Sequence, residues 1–309
     1  MTITSGGDDH PLDMTNSDRV WKSVAADRIE RPDGAWVRVG FIETDTGDLF
    51  AAVHGPAGEP RGVALICPPP LAEGPRNYRR EYQLAAGLSE GGVAAMRFHP
   101  IGSGQSGDGP FTLASMSTDA SNALGALLAE FGDLPVAVVG TRLAAVVAAR
   151  TTPAGGTLVL WDPVVDGSAY AKEVMRARRL SELASGESSM EEDPSNRIRP
   201  DNGPVDVVGY PVDRTLLDEA TSQPLSEVEN AAKRIEIVEM SRKGTPRPAV
   251  LALAEQWRGG GADVRIETVA AAESWWFGSA GKGGRLEVEV TATEAVTLTL
   301  GFLLGDGAW

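Results

Sequence analysis

Short apolar segments alternate with longer segments of helical periodicity in this chain, and this alternation limits its fold more than any other feature. The apolar segments are VALIC (63–67), VAAMRF (93–98), VAVVG (136–140) and GTLVLW (156–161). Between them lie segments such as YRREYQLAAGLSEGG and TDASNALGALLAEFG, whose apolar residues have helical spacing. Strands that are apolar on both faces and alternate with helices form a parallel sheet with helices on both sides. We therefore predict a doubly wound, mostly parallel α/β fold.

Further strands are predicted on either side of this central region. The segments AWVRVGFIET and LFAAVHGP alternate in polarity around the turn TDTGD, which is typical of an antiparallel hairpin. Later in the chain, RIEIVEM (234–240) and VRIETV (264–269) flank a helical segment, PAVLALAEQWRGGG, and extend the parallel sheet. Near the C-terminus, RLEVEVTAT and AVTLTLGFLL alternate β-branched residues, and we expect them to form a C-terminal strand pair.

These patterns divide the chain into five segments. Residues 1–18 are polar and aperiodic, and we expect a disordered tail. Residues 19–166 and 231–283 are the two parts of the α/β core. The intervening residues 167–230 combine a basic amphipathic helix with an acidic stretch rich in Ser and Pro, so we predict a cap insertion. Residues 284–309 would be a C-terminal β extension.

The composition favours a small-molecule ligand over a polyanionic partner. Lys and Arg number 28 against 43 Asp and Glu, and the resulting net charge of -15 repels nucleic acid and anionic membrane surfaces. No apolar run approaches the roughly 20 residues that span a bilayer, and the N-terminal segment lacks the features of a secretory signal, so we expect a cytoplasmic protein. Three histidines and one cysteine leave little material for a metal site, and we predict no metal and no cofactor. An exposed edge in the predicted C-terminal strands makes a homodimer an open possibility.

The turn after VAVVG is the strongest functional signal in the sequence. It reads Gly140-Thr141-Arg142-Leu143-Ala144 and precedes an Ala-rich helix. This arrangement resembles the G-x-S-x-G nucleophile elbow of α/β-hydrolases, in which a serine projects above the sheet. Arg142 stands in the place of that serine, and a guanidinium is not a nucleophile because it stays protonated in proteins. The histidine base expected after the final strand is also missing from VRIETVAAAESWWFGSA, so we expect a degenerate triad.

Arg142 has two interpretations at this stage. Next to a helix N-terminus, its guanidinium would favour an anion, such as a substrate carboxylate or enolate. The N–H of Leu143 and one from the loop containing Leu71 would then form an oxyanion hole. Alternatively, Glu73 or Asp162 pairs with Arg142 in a purely structural salt bridge. Glu73 is accordingly either that partner or a general base.

Other candidate site residues follow the ends of the predicted strands. His99, in RFHPIGSGQSGDG, is either a proton carrier or a structural residue. The aromatic residues Trp161, Trp275 and Trp276 would lie at the carboxyl ends of strands, where open α/β sheets bind ligands. They form either an aromatic pocket wall or anchors of the core. We expect Cys67 to be an inert packing residue.

The segment CPPPLAEGPRNYRREYQLAAGLSEGGVAAMRFHPIGSGQSGDG (67–109) is similar to a characteristic segment of the exosortase A system-associated hydrolases, type 2. That branch of the α/β-hydrolases also resembles this chain in having arginine at the elbow, in LWDPVVDG and in VVGYPVDRTLL. The resemblance covers residues 40–280. It implies the α/β-hydrolase fold and the cap but no defined reaction.

Three functions are compatible with these residues. The favoured one is a non-hydrolytic enzyme, of the lyase, epimerase, cyclase or transferase type, that acts on or binds a carboxylate- or acyl-bearing small molecule. Arg142 would clamp the anion, and Glu73 or His99 would carry the proton. The alternatives are a catalytically inactive binding or scaffold protein and a hydrolase with a displaced nucleophile. Fold alone does not decide among them.

Overall fold

The computed structural model describes residues 21–23, 28–185, 205–207, 210–271 and 288–305. The strands are β1 Trp21–Ser23, β2 Ile29–Glu30, β3 Trp36–Thr44, β4 Gly47–Gly55, β5 Val63–Cys67, β6 Ala94–Phe98, β7 Val136–Thr141, β8 Thr157–Trp161, β9 Val205–Val207, β10 Tyr210–Val212, β11 Arg234–Ser241 and β12 Asp263–Ala270. The α-helices are α1 Glu73–Glu90, α2 Leu113–Phe131, α3 Ala144–Thr151, α4 Gly167–Ser185, α5 Arg214–Ser222, α6 Pro248–Gly259 and α7 Val288–Leu304.

One large sheet organises these elements. Its strand order is β1-β3-β4-β6-β5-β7-β8-β11-β12, with β2 paired to β3. From β6 to β12 neighbouring strands are parallel, whereas the β3–β4 hairpin and its junction with β6 are antiparallel. The predicted hairpin and the six predicted parallel strands are confirmed. Every residue of β5 to β8 is buried, as expected for strands covered on both faces.

The alternating side chains of each central strand enter two separate parts of the core. In β5, Val63, Leu65 and Cys67 pack with residues of α2 and α3. Ala64 and Ile66 point to the opposite face and pack with residues of α1 and α7. A strand has a period of two, so one short apolar segment serves both faces. The carboxyl ends of these strands remain at one edge, where α/β folds form their sites.

The predicted cap segment, residues 167–230, lies between β8 and β11, which pair directly with each other. Its described parts contain α4, the β9–β10 hairpin, α5 and a 3₁₀ helix at Leu225–Glu227. Helices α4 and α5 pack together, and a Cβ on Gly167 would lie 1.7 Å from the carbonyl oxygen of Ala220. Glycine at the start of α4 therefore permits this close approach.

The predicted C-terminal strand pair is wrong for Val288–Leu304, which forms α7. The alternation of β-branched residues indicated strands, but the buried residues of α7 have helical spacing: Ala295, Val296, Thr299, Phe302 and Leu303. The helix covers the sheet face beside α1. Close packing there depends on Gly87 and Gly91, whose added Cβ atoms would lie 2.5–2.6 Å from Leu300 and Leu304. Tertiary packing thus overrides the local β tendency. Residues 284–287 and 306–309 of the predicted extension, like the predicted tail at 1–18, lie outside the described residues.

Candidate functional site

The elbow, residues Gly140 to Ala144, joins β7 to α3 in a sharp turn. Arg142 stands at its centre with φ 55°, a left-handed conformation that non-glycine residues rarely adopt. Its N–H donates to the carbonyl of Trp161 at 2.9 Å, which fixes the turn against β8. A Cβ on Gly140 would lie 2.6 Å from both the Ala144 carbonyl oxygen and the Ala148 Cβ, so the turn requires glycine there. The chain thus keeps a tight strand-to-helix turn with arginine at its centre.

Strained backbone in the described part of the chain is concentrated at this edge of the sheet. Its non-glycine residues with positive φ are Leu71 at 60°, Arg142 at 55° and Asp162 at 44°. They follow β5, β7 and β8, three adjacent strands. Conformations of this kind cost on the order of 1–3 kcal/mol each and tend to cluster at functional sites. All three positions are residues that the sequence singled out.

The guanidinium of Arg142 contacts three carboxylates. Nε lies 3.4 Å from Oε1 of Glu73, Nη1 lies 3.3 Å from Oδ2 of Asp162, and Nη2 lies 2.8 Å from Oε2 of Glu173. Arg142, Glu73 and Asp162 are each at most 4% exposed, whereas the Glu173 side chain on α4 is 41% exposed. Arg142 is therefore paired internally, with both partners that the sequence suggested and with a third from the predicted cap segment.

The ion pairs continue beyond Arg142 to a second arginine. Oδ1 of Asp162 accepts a hydrogen bond from Nη2 of Arg247 at 2.7 Å. Arg247 also forms an ion pair with Glu239 on β11 through its Nε. We call these residues the ion-pair cluster: Glu73, Arg142, Asp162, Glu173, Glu239 and Arg247. Four carboxylates face two guanidinium groups, so the cluster has an excess of acidic groups.

Burial and charge act in opposite directions on the ionisable groups of the cluster. Burial by itself lowers the pKa of Arg142, but the carboxylates of Glu73, Asp162 and Glu173 outweigh it and raise the pKa. Burial raises the pKa of Glu73 to about 7, because the favourable charge of Arg142 compensates only in part and Glu173 adds repulsion. Oε2 of Glu73 has no hydrogen-bond partner among the described residues. Glu73 is thus a buried carboxyl that changes protonation state near neutral pH.

His99 lies apart from the ion-pair cluster, in the wall of a cavity of about 470 Å³. Leu71 and Gly74 line the same cavity, but no residue of the ion-pair cluster does so among the described lining residues. The Nδ1 atom of His99 accepts a hydrogen bond from the Gln105 N–H at 3.2 Å. Burial and the nearby charge of Arg97 lower the pKa of His99, which favours the neutral form of its ring. His99 and Arg142 therefore do not line a common cavity among the described residues.

The aromatic wall expected from the tryptophans is not formed by Trp161. Its side chain is fully buried in the core between the sheet and α7, and its Nε1–H donates to Oγ1 of Thr299 at 2.8 Å. Side chains of a strand alternate between the two faces of the sheet, and Trp161 points to the face that α7 covers rather than to the carboxyl edge. Trp275 and Trp276 lie outside the described residues. Leu143 is buried at the N-cap of α3, and Cys67 is a buried thiol whose pKa is raised by burial.

The sequence identified only part of this site. Glu73, Arg142 and Asp162 come together as expected, and each follows a strand or begins a helix at the same sheet edge. Glu173 and Arg247 were missed. Glu173 is one of several charged residues on an amphipathic helix, and Arg247 precedes α6, so neither carries a local motif. Only the tertiary fold brings Glu173 to Arg142 and Arg247 to Asp162.

The described residues contain no helix long and apolar enough to cross a membrane. Within the same ranges, no group of three or more His, Cys, Asp or Glu residues is arranged to hold a metal ion.

Comparisons with known proteins identify the fold. No protein-family model matches the sequence, and no curated protein matches it. Among solved structures, Est1E from Butyrivibrio proteoclasticus bound to ferulic acid is 15% identical, with a TM-score of 0.59 over 84% of this chain and 97% of that one. A thermostable carboxyl esterase from Bacillus coagulans is 14% identical, with a TM-score of 0.54 over 87% and 98%. An alpha-beta serine hydrolase homologue from Coxiella burnetii is 15% identical, with a TM-score of 0.51 over 85% and 95%. This chain therefore has the α/β-hydrolase fold.

Proposed function

We propose that this protein binds a small molecule at the carboxyl edge of its sheet and forms no acyl-enzyme. The observation that carries the proposal is the Arg142 side chain at the centre of the elbow, held by three carboxylates. A serine hydrolase needs a nucleophile there, and a protonated guanidinium supplies none. The triad is degenerate in this proposal, and the elbow is a structural element of a binding protein.

The ion-pair cluster argues against a role for Arg142 as a clamp for a substrate carboxylate. Each of its three guanidinium nitrogens already has a carboxylate oxygen within 3.4 Å. A substrate anion would have to displace one of them and enter a cluster with an excess of acidic groups. Burying a charge without a compensating partner is costly, so such an exchange is unfavourable. A ligand carboxylate at Arg142 is therefore disfavoured, whereas the acyl-bearing ligands that the sequence also favoured need no such contact.

Candidates for a displaced nucleophile have other roles. Cys67 is a buried thiol whose raised pKa keeps it protonated. The hydroxyl of Ser103 donates to the carbonyl of Pro100, and that of Ser106 donates to the carbonyl of His99. None of these groups has the free, activated geometry of a nucleophile beside a base. The hydrolase alternative accordingly has the weakest support.

Glu73 favours a second candidate, a non-hydrolytic enzyme that moves a proton. Its pKa of about 7 and its unpartnered Oε2 suit a general acid or base at neutral pH. Lyase or epimerase chemistry would fit such a group, provided that a substrate reaches it. Since Glu73 does not line the cavity and is 3% exposed, this candidate requires a conformational change that admits a substrate to Glu73.

Activity-based labelling and fragment screening test the proposal. We expect no labelling by a fluorophosphonate probe and no turnover of p-nitrophenyl esters, with an active esterase as the positive control. Crystals soaked with small fragments should show density in the cavity beside His99 and none in contact with Arg142. Stoichiometric labelling of one serine, or fragments confined to Arg142, would overturn the proposal. The second candidate would be favoured if a bound fragment took up deuterium from solvent in the wild type but not in Glu73→Gln.

A further inference from the structure

The cavity beside His99 has the size and composition of a small-molecule site. Its volume of about 470 Å³ lies within the range of about 300–1,000 Å³ that is usual for such sites. Apolar and aromatic residues dominate its wall, including Leu71, Tyr78, Phe111 and Tyr210. Tyr78 is 43% exposed despite its large ring, so it offers an aromatic surface to a ligand.

Glu81 places a hydrogen-bond acceptor in this wall. It lies on α1, one helical turn after Tyr78, and is only 3% exposed. Its Oε1 has no hydrogen-bond partner within the described ranges. A buried carboxyl oxygen without a partner pays a desolvation cost, which a ligand that donates a hydrogen bond would relieve. Burial raises the pKa of Glu81 to about 7, and a carboxyl group keeps an acceptor oxygen in either protonation state.

His99 places a hydrogen-bond donor in the same wall. Its Nδ1 accepts the Gln105 N–H, so in the neutral ring the proton is on Nε2. Among the residues that the structure describes, Nε2 has no hydrogen-bond partner. Ring contacts hold the imidazole in position, with centroids 4.8 Å from Phe50 and 6.1 Å from Tyr78. His99 therefore offers Nε2–H as a fixed donor.

The charged groups around the cavity disfavour an anionic ligand. Glu81 is the charged residue in the described lining, and no arginine or lysine lines it. Arg97, buried nearby, donates to Nε2 of His54 at 3.3 Å. Its guanidinium also stacks over Tyr78 at 4.6 Å and over Tyr82 at 5.4 Å. Arg97 and Arg80 partly offset the effect of burial on the pKa of Glu81, so a ligand carboxylate would have to compete with Glu81 for their charge.

We infer that the cavity binds a neutral, flat molecule that carries a hydroxyl group, with the hydroxyl donating to Glu81 and accepting from His99 Nε2–H. One hydroxyl oxygen meets both requirements, because it is a donor and an acceptor at once. The apolar and aromatic wall accommodates the ring that carries it. The inference rests on the proposed function, in that it names the ligand class for the same cavity.

Three ligands of similar size test the hydroxyl requirement by isothermal titration calorimetry at neutral pH. We expect 2-naphthol to bind at least ten-fold more tightly than 2-methoxynaphthalene, which has the same ring but no donor. The anion 2-naphthoate should bind more weakly than either. This comparison uses only the unaltered protein, so it does not depend on how any variant folds.

Substitutions then assign the contacts. Glu81→Met removes the acceptor at similar volume and should lower the affinity for 2-naphthol about ten-fold while leaving 2-methoxynaphthalene unchanged. His99→Phe should also weaken 2-naphthol selectively. Glu90→Met is the matched control, because Glu90 is an exposed glutamate on the same helix that does not line the cavity. It should change neither affinity.

The outcomes separate the inference from the proposed function. Equal binding of 2-naphthol and 2-methoxynaphthalene, or tightest binding of 2-naphthoate, overturns the inference and leaves the binding function in place. Loss of affinity for both neutral ligands in Glu81→Met, with an unchanged melting temperature, also overturns it. Fluorophosphonate labelling of a serine overturns the proposed function whatever the naphthol result.

Discussion

Replacing Arg142 with methionine tests whether the elbow arginine is structural, because methionine keeps much of the volume and removes the charge. Asp162 would still be paired with Arg247 at 2.7 Å, and Glu173 is 41% exposed and can be hydrated. Glu73 would lose its one ion-pair partner in the described structure while it stays 3% exposed. Removing one partner of a buried pair costs about 3–5 kcal/mol when the remaining group keeps its charge, which sets an upper limit on the loss.

The loss should depend on pH, because Glu73 avoids an unpaired charge by binding a proton. The pKa of Glu73 in the folded protein, about 7, lies above its ordinary value of 4.5. Protonated Glu73 therefore stabilises the fold at low pH, and this contribution to stability is lost as pH rises through 7. Below pH 7 the wild type also holds Glu73 largely protonated, and removal of Arg142 changes little at this residue. Above pH 7 the wild type can ionise Glu73, whereas Arg142→Met must keep Glu73 protonated. This lowers the stability of the variant relative to wild type by about 1.4 kcal/mol per pH unit, or by about 2 kcal/mol between pH 7 and pH 8.5.

Urea denaturation of wild type and Arg142→Met at several pH values measures this difference. The double variant Arg142→Met/Glu73→Gln is the control, because it lacks the titrating carboxyl and should show no extra loss above pH 7. Arg142→Lys keeps the charge without the planar fork and should fall between wild type and methionine. A loss below about 1 kcal/mol at pH 8.5, or one that does not depend on pH, would refute the view of Arg142 as a structural partner of Glu73.

Three further predictions concern the core and the elbow. Glu236 is fully buried, and burial raises its pKa to about 8, so the stability of the wild type should fall as pH rises from 4.5 to 8. In urea denaturation at pH 8, Glu236→Gln should be more stable than wild type by on the order of 3 kcal/mol. A variant with no gain in stability would contradict this prediction. Thr299→Val leaves Trp161 Nε1–H unpaired and should cost about 1–3 kcal/mol, whereas an unchanged midpoint would mean that the bond contributes nothing. Gly140→Ala should lower the stability by about 1–3 kcal/mol, because the added Cβ overpacks against Ala144. Gly125 is the control: it is exposed on α2 with open space around it, and Gly125→Ala should stabilise the protein slightly. Equal effects of the two substitutions in thermal melts would argue against a tight elbow.

The sequence determined the sheet because its strands are set by local apolar content. β5 to β8 are buried on both faces, so nearly every residue is apolar and the pattern needs no long-range information. It also located the elbow, since the turn itself requires glycine at position 140. Glu73, Arg142 and Asp162 were found for the same reason, as residues at the ends of recognisable elements.

Only the tertiary structure decided how these residues are used. The segment of α7 alternates like a strand, but it forms a helix that packs closely on α1 at Gly87 and Gly91. Arg142 looked able to hold an anion until α4 brought Glu173 to it and left its guanidinium fully engaged. The partners of a side chain depend on residues distant in the chain, and long-range packing of this kind leaves no periodic signal in the sequence.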